Sequence, residues 1–324
     1  MKKRELRRQP KEKKGQKHHY IPQFYLRPWL GDDNRLEEFG RVPPSNQIRS
    51  RRRGTESTGY EYDLYTIPGV TEETKQNIER VFMGTVDKTA AAARDELLRG
   101  NIPQGELRHA WARFLMSMAM RTPEEMRRFK ENFVWYWIKP VAKYQDRYDA
   151  IRKPDWPPTL EEYFVSQDPH MVQRQAIVLA TDLMQQENVT RHLMGAEWWV
   201  FDSSRVQRPF MTSDHPFVMT NGLKRPDGHF AIPIGPRHLF VAFMQKDFGE
   251  WFRRMPTGKI VRATNEAVIG QGRKYVYGID GANIAEVRRL MGKREYMTLL
   301  PTMTKKEGDE AKAHISKEIW DAWL

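Results

Sequence analysis

The stretch Glu197-Trp198-Trp199-Val200-Phe201 marks the point where the chain changes from helical to strand-like patterning. Between residues 71 and 190, apolar side chains recur at the spacing that is typical of helices. After residue 197, short apolar runs alternate with turns that contain glycine or proline, which is typical of strands. The change predicts an α+β protein with a central helical block.

Two capping patterns support the helical block. Thr122-Pro123-Glu124-Glu125 combines a capping residue with proline at the first helical position, and residues 159–162 repeat the capping box. Residues 17–70 read instead as short extended pieces, with the best strands at 35–41 and 60–67. We therefore expect β-rich regions on both sides of the helices, able to combine into one sheet region.

The chain length of 324 residues fits one large domain or two intimately packed lobes. We expect a disordered basic tail at residues 1–16 and a single α+β domain at 17–302. That domain comprises a β-rich opening (17–70), a helical block (71–190) and a β-rich region with helices (191–302). Residues 303–324 are expected to form a polar stretch and a terminal helix.

The composition excludes several classes of site. The sequence has no cysteine, so disulfides, thiolate zinc sites and cysteine nucleophiles are excluded. Any metal must be held by His, Asp, Glu or Asn, which suit Mg, Mn or Zn. No stretch approaches the roughly 20 apolar residues of a spanning helix, so we expect a cytoplasmic protein without a membrane partner. Motifs of ATPases, zincins, elbow-type hydrolases and Rossmann dehydrogenases are missing.

The positive charge is concentrated near the start of the chain. The net charge is +12, and residues 1–53 carry 16 Lys and Arg against 6 Asp and Glu. Two basic blocks, at residues 2–17 and 49–53, flank the pair His18-His19, so an anionic partner such as nucleic acid would be steered there. A solubilising tail is the alternative. The candidate nucleic-acid contacts are Lys11, Lys13, Lys14, Lys17, Arg49, Arg51, Arg52 and Arg53.

The pair His18-His19, followed by Pro22, has the His-His-x-x-Pro form of the first strand of His-Asn-His nucleases. In those enzymes one histidine deprotonates water and its neighbour helps to hold a divalent metal. Asn34 lies at a suitable distance, but no closing histidine occurs before His109, so the compact metal finger is not completed locally. The alternative is that His19 and Tyr20 anchor the segment through hydrogen bonds.

Three further positions carry polar side chains that could serve a site. Asp214 and His215, within Ser213-Asp214-His215-Pro216, could supply metal ligands or an acid and base pair, or could simply form a turn. Arg121, at the end of a predicted helix, could clamp a phosphate, although we favour a structural role at the carbonyl end of that helix. Asn265, at the start of a late helix, is a weaker candidate, with capping as its alternative.

These positions also carry a family resemblance. The order His19-Tyr20-x-Pro22-x-Phe24-x-Leu26, Arg121-Thr122-Pro123, Ser213-Asp214-x-Pro216 and Asn265 resembles the bacterial domain-of-unknown-function 4238 family. The likeness extends from about residue 18 to residue 277. His215 stands where that family more often shows Asn, so a role for Asp214 is more secure. The resemblance implies a set of linked polar positions and no particular reaction.

Together these features favour a metal-assisted phosphodiesterase, a nuclease acting on DNA or RNA. His19 would act as general base, and His18, Asp214 and His215 would hold a divalent cation, with Asp214 also in a catalytic role. Arg121 would stabilise the developing negative charge. The runner-up is a non-catalytic nucleic-acid-binding or scaffolding protein. A third possibility, hydrolysis of a small anionic substrate, needs only the pocket.

Overall fold

The computed structural model describes residues 15–66, 71, 85–220, 225, 228–296, 298, 306 and 309. Three predicted features lie wholly or mostly outside these residues. They are the tail predicted at 1–16, of which only 15 and 16 are described, most of the helix start at 71–84, and nearly all of the polar stretch and terminal helix at 303–324. The described strands are β1 (Lys17–His19), β2 (Leu36–Val42), β3 (Gln47–Arg53), β4 (Tyr60–Tyr62), β5 (Glu197–Asp202), β6 (Thr212–Ser213), β7 (Val218–Thr220), β8 (His229–Pro233), β9 (His238–Phe243) and β10 (Tyr275–Gly278).

Helices fill the middle of the chain and separate the later strands. They are α1 (Gln23–Leu26), α2 (Thr85–Leu98), α3 (Gly105–Met120), α4 (Pro123–Val141), α5 (Gln145–Ile151), α6 (Leu160–Gln167), α7 (Met171–Met184), α8 (Glu187–Gly195), α9 (Lys246–Arg253), α10 (Thr257–Gln271) and α11 (Ile284–Leu290). Sheets therefore flank a helical block, as predicted, and the α+β class is confirmed.

One sheet joins the two ends of the domain. Its strand order is β3-β2-β10-β6, so strands from the first 53 residues pair with strands beyond residue 211. All its pairings are antiparallel. The expected combination of N-terminal and C-terminal β material is confirmed. A second four-stranded sheet has the order β5-β9-β8-β7, and β1 pairs with β4.

Aromatic side chains of residues 20–29 form hydrogen bonds with the loop at residues 210–216, which carries the Ser-Asp-x-Pro motif. The Trp29 indole donates a hydrogen bond to the main-chain oxygen of Phe210 at 3.0 Å. The Tyr25 hydroxyl lies 2.7 Å from Thr212 Oγ1 and donates to the Pro233 carbonyl at 2.7 Å. These residues are buried. Segment 20–29 is therefore part of the core that positions residues 210–216.

Four local features differ from the sequence expectations. The basic run 47–53 forms strand β3, because Arg51 and Arg52 pair across the ladder with Glu38 and Glu37. The strand predicted at 60–67 ends at residue 62. Helices α1, α8 and α9 were not foreseen. Asn265 lies inside α10 rather than at its start, so the capping role is wrong.

Two helices within the central block begin where their capping residues predict. Thr159 Oγ1 accepts the Glu162 N–H, and the full capping box is present at the start of α6. Thr122 Oγ1 accepts the Glu125 N–H at 3.3 Å in front of α4. None of the described helices is long and apolar enough to cross a membrane.

Candidate functional site

The junction between α3 and α4 is the point where several motif residues meet. Arg121 ends α3 and is only 1% exposed. Its guanidinium lies 3.3 Å from the Asp87 carboxylate of α2, while its main-chain carbonyl accepts the Tyr65 hydroxyl at 2.6 Å. Burial raises the pKa of the Asp87 carboxyl, and Arg121 opposes that rise. Arg121 is thus tied into the protein interior.

His18 is attached to the same junction through Tyr65. The imidazole is buried, its Nδ1 accepts the Tyr65 main-chain N–H at 3.0 Å, and the two rings stack with centroids 5.3 Å apart. A nitrogen that accepts a main-chain N–H has no lone pair left for a metal. His18 therefore anchors β1, which is the role that the sequence analysis gave to its neighbour as the alternative.

His19 points the other way and lines an open cleft of about 370 Å³. Burial lowers the pKa of the His19 imidazole, with smaller lowering by Lys17 and Arg121 and an opposing effect from the main chain of Glu56 and Thr55. The ring is therefore neutral at neutral pH. Nε2 of this ring is buried within the protein.

The cleft combines one imidazole with charges of both signs. It is lined by His19, Pro22, Gln23, Phe24, Arg27, Asp87, Lys88 and Ala91. Arg27 and Lys88 are exposed. Two exposed cations beside a neutral imidazole form an environment suited to an anionic ligand. Asp87 also lines the cleft, and it pairs with the buried Arg121 behind it.

Asp214 is occupied by the main chain. It is 1% exposed, and its two carboxylate oxygens accept the N–H groups of Arg273 (2.9 Å), Lys274 (2.5 Å) and Tyr275 (3.1 Å). Burial raises the pKa of this carboxyl, while His215 and the N–H donors oppose the rise. The carboxylate holds the turn before β10 against β6, as in the turn-forming alternative.

His215 faces the first turn of α4. Its Nε2 lies 3.5 Å from Glu124 Oε2, and its ring stacks on Tyr296 with centroids 3.8 Å apart. Burial acts to raise the pKa of Glu124, but His215, the main-chain N–H at Glu124 and Arg127 together outweigh it, so that pKa lies below its ordinary value. Both His215 and Asp214 line a second, much smaller space of about 10 Å³.

Asn265 also has a structural role. The buried amide accepts the Met211 N–H at 2.9 Å and donates to the Pro209 carbonyl at 2.9 Å. These bonds fix the loop that leads into Ser213 and Asp214. The late asparagine of the motif set therefore supports the third motif rather than a ligand.

The expected metal ligands do not fit a metal. Across the described residues, no group of three or more His, Asp or Glu side chains could hold an ion. Nδ1 of His18 and both oxygens of Asp214 already accept main-chain N–H groups. We therefore assign no metal-binding role in the reaction to His18, Asp214 and His215.

The candidate nucleic-acid contacts divide into two groups. Arg52 forms an ion pair with Asp33, and Arg53 lies 3.8 Å from Glu38. Arg49 and Arg51 are exposed on β3, at the edge of its sheet. Lys17 lies over the Tyr60 ring at 4.3 Å. Lys11, Lys13 and Lys14 fall outside the described residues.

Sequence reasoning missed the other groups of the cleft. Asp87 and Lys88 sit in a helix whose pattern marks only its apolar face, and Gln23 and Arg27 lie among aromatic residues that dominate their segment. Tyr65 had no distinguishing motif. The one available signal was the spacing of Gln23 and Arg27, four residues apart, directly behind His19.

A family model described as "Protein of unknown function (DUF4238)" matches residues 17–281. No curated protein and no solved structure matches the chain.

Proposed function

Because the chain belongs to the DUF4238 family, and the description of that family names no activity, we propose a function from the geometry of the cleft at His19. We infer a phosphodiesterase, a nuclease that acts on DNA or RNA, with His19 as its general base. The observation that carries the proposal is the His19 imidazole lining a cleft beside the exposed side chains of Arg27 and Lys88. Burial lowers the pKa of this imidazole below its ordinary value, which favours the unprotonated form. An imidazole whose pKa lies near or below the working pH is largely unprotonated, and the unprotonated ring can accept a proton.

In the proposed reaction, the His19 imidazole takes a proton from water as the water oxygen forms a bond to phosphorus, and it later releases that proton to the solvent. The bond between phosphorus and the leaving oxygen then breaks, and that oxygen takes a proton from the solvent that reaches the open cleft. Arg27 and Lys88 neutralise the charge that develops on the phosphoryl oxygens. Arg121, being buried, is given a positioning role through Asp87.

Asp214 and His215 are given supporting roles in this proposal. They hold residues 213–216 against β10 and α4, and that packing in turn positions the helix junction. No step is routed through a metal, because the expected ligands are engaged elsewhere.

The test is cleavage of labelled single-stranded RNA and DNA by the purified full chain and by His19→Gln. His109→Gln is a matched control, since that imidazole sits on α3, 3.0 Å from Glu187 and outside the cleft lining. We expect His19→Gln to lose roughly 100-fold or more of the rate, with no loss in the control. Equal rates for the three proteins would overturn the assignment of His19.

The second candidate is a nucleic-acid-binding protein without catalysis. It is favoured by Arg49 and Arg51, which are exposed on the edge strand, whereas Arg52 and Arg53 approach the carboxylates of Asp33 and Glu38 more closely. Binding of labelled RNA or DNA, with no cleavage by the wild-type chain under any tested buffer, would select this candidate.

A further inference from the structure

The two-stranded ribbon of β1 and β4 carries an outer face next to the His19 cleft. The strands pair antiparallel, with Lys17 opposite Tyr62 and His19 opposite Tyr60. Because the side chains of a strand alternate between its two faces, these four side chains share one face of the ribbon. Tyr62 is 49% exposed, Lys17 is also exposed, and Tyr60 is half-buried. The outer face therefore combines a cation with aromatic rings that solvent can reach.

Tyr60 is the centre of this outer face. Its ring centroid lies 5.5 Å from that of His19 and 5.5 Å from that of Tyr62. The Lys17 ammonium lies over the same ring, 4.3 Å from its centroid. Two consecutive ring contacts thus lead from the cleft to the exposed Tyr62. A linear ligand that leaves the cleft beside His19 therefore meets an aromatic surface and a positive charge.

The inner face of the ribbon attaches it to the rest of the protein. His18 lies on that face, where it is buried and its Nδ1 accepts the Tyr65 main-chain N–H at 3.0 Å. Glu61 is the one acidic residue in the sequences of β1 and β4. It alternates with the tyrosines along β4, and its carboxylate lies 3.9 Å from the Lys274 ammonium. The negative charge of the ribbon is therefore turned away from Tyr60 and Tyr62.

We propose that the outer face binds the unpaired bases of a single-stranded nucleic acid whose phosphate occupies the His19 cleft. The proposal rests on the proposed function, since it takes the substrate of that function as its ligand. An unpaired base can stack on an aromatic ring whatever its sequence, whereas the bases of a duplex are stacked on one another. Tyr62 is the stacking ring, and Lys17 contacts a phosphate. The face therefore selects single strands over duplexes and accepts both RNA and DNA, because a stacked base is not recognised through its sugar.

The test is the binding of a fluorescein-labelled DNA strand of about 12 nucleotides, of the RNA strand of the same sequence and of the DNA duplex, measured by fluorescence anisotropy. The full chain carries His19→Gln so that the strands stay intact. We expect Tyr62→Ala to weaken the binding of both single strands about five-fold or more, with no change for the duplex. Tyr62→Phe keeps the ring and should keep the affinity.

Tyr144→Ala is the matched control. Tyr144 is 51% exposed and has the Arg147 guanidinium 5.8 Å from its ring centroid, but it lies in the helical block and outside the ribbon. We expect this variant to bind all three ligands as the unchanged ribbon does. Equal single-strand affinities for Tyr62→Ala and Tyr144→Ala would overturn the proposal. A loss in Tyr62→Phe as large as that in Tyr62→Ala would also overturn it, because the hydroxyl and not the ring would then make the contact.

Cleavage of the same strands by the chain with its natural His19 is measured separately, so the two proposals can fail independently. If that chain cleaves the strands while Tyr62→Ala leaves single-strand binding unchanged, the stacking face is wrong and the proposed function stands. If single-strand binding depends on Tyr62 and no cleavage occurs, the stacking face is supported and the proposed function is wrong. The absence of binding to any of the three ligands would overturn both.

Discussion

The Tyr65 hydroxyl donates a hydrogen bond to the main-chain carbonyl of Arg121 at 2.6 Å, and both residues are buried. The same tyrosine stacks on His18 and donates its N–H to that ring. Tyr65 therefore links the histidine strand to the helix junction. Because β1 is held in this way, the neighbouring His19 side chain is directed toward the cleft.

Tyr65→Phe should lower the stability of the protein. The substitution keeps the ring but removes the donor to a buried carbonyl, which costs about 1–3 kcal/mol. Urea unfolding measures the change. Tyr62→Phe is the matched control, since Tyr62 is 49% exposed and its loss of a hydroxyl should change stability by less than about 0.5 kcal/mol. Equal stability of the two variants would show that the link through Tyr65 is unimportant.

Asp214→Asn should also destabilise the fold. The carboxylate accepts three main-chain N–H groups, and the asparagine amide nitrogen cannot accept any of them. We expect a loss of about 2–3 kcal/mol in the free energy of unfolding, measured by urea titration. Asp202→Asn serves as an exposed control. A variant with wild-type stability that lacks cleavage would instead give Asp214 the chemical role expected from the sequence.

Stability should fall as the pH is lowered below neutral. Burial lowers the pKa of His229 to about 4, against an ordinary value of 6.5. Between these values the unfolded chain binds a proton at this position that the folded chain does not, so protonation favours unfolding. The urea midpoint should therefore decrease from about pH 7 to about pH 5. His229→Gln should show a smaller decrease, and an identical decrease would exclude His229 as a source.

The exposed arginines of β3 should determine the salt dependence of any nucleic-acid binding. Each phosphate contact that is lost lowers the slope of log affinity against log salt by about 0.9 on duplex DNA. Arg49→Ala with Arg51→Ala should therefore flatten the slope measured by fluorescence anisotropy. Arg99→Ala is the control, because this arginine lies just after the end of α2 and pairs with Glu96. The same slope in both variants would show that Arg49 and Arg51 do not contact nucleic-acid phosphates.

Periodicity and capping residues were enough to predict the helical block and most later strands. Strand β3 could not be predicted, because its alternate positions are mostly arginine and its stability depends on Glu37 and Glu38 of β2. The roles predicted for the motif residues remain predictions, but the contacts of two of these residues were not foreseen. His18 and Asp214 carry ligand-competent atoms that tertiary contacts consume, and a sequence does not reveal which main-chain N–H groups approach them.

Asp87 is a residue of the cleft that the sequence did not single out. Nothing around it in the sequence separates it from the many acidic residues of solvated helix faces. It becomes notable only because α2 and α3 place it 3.3 Å from Arg121 and beside the cleft. Long-range contacts of this kind depend on the tertiary fold.

The most direct measurement for the proposed function is the cleavage rate of labelled nucleic acid as a function of pH, for the wild type and for His19→Gln. If His19 is the base, the wild-type rate should stay level through neutral pH and fall only below about pH 6.5, because burial lowers the pKa of this imidazole. The variant should be slower by about 100-fold or more and should lack that fall. A variant that keeps both the wild-type rate and the acidic decline would contradict the central claim.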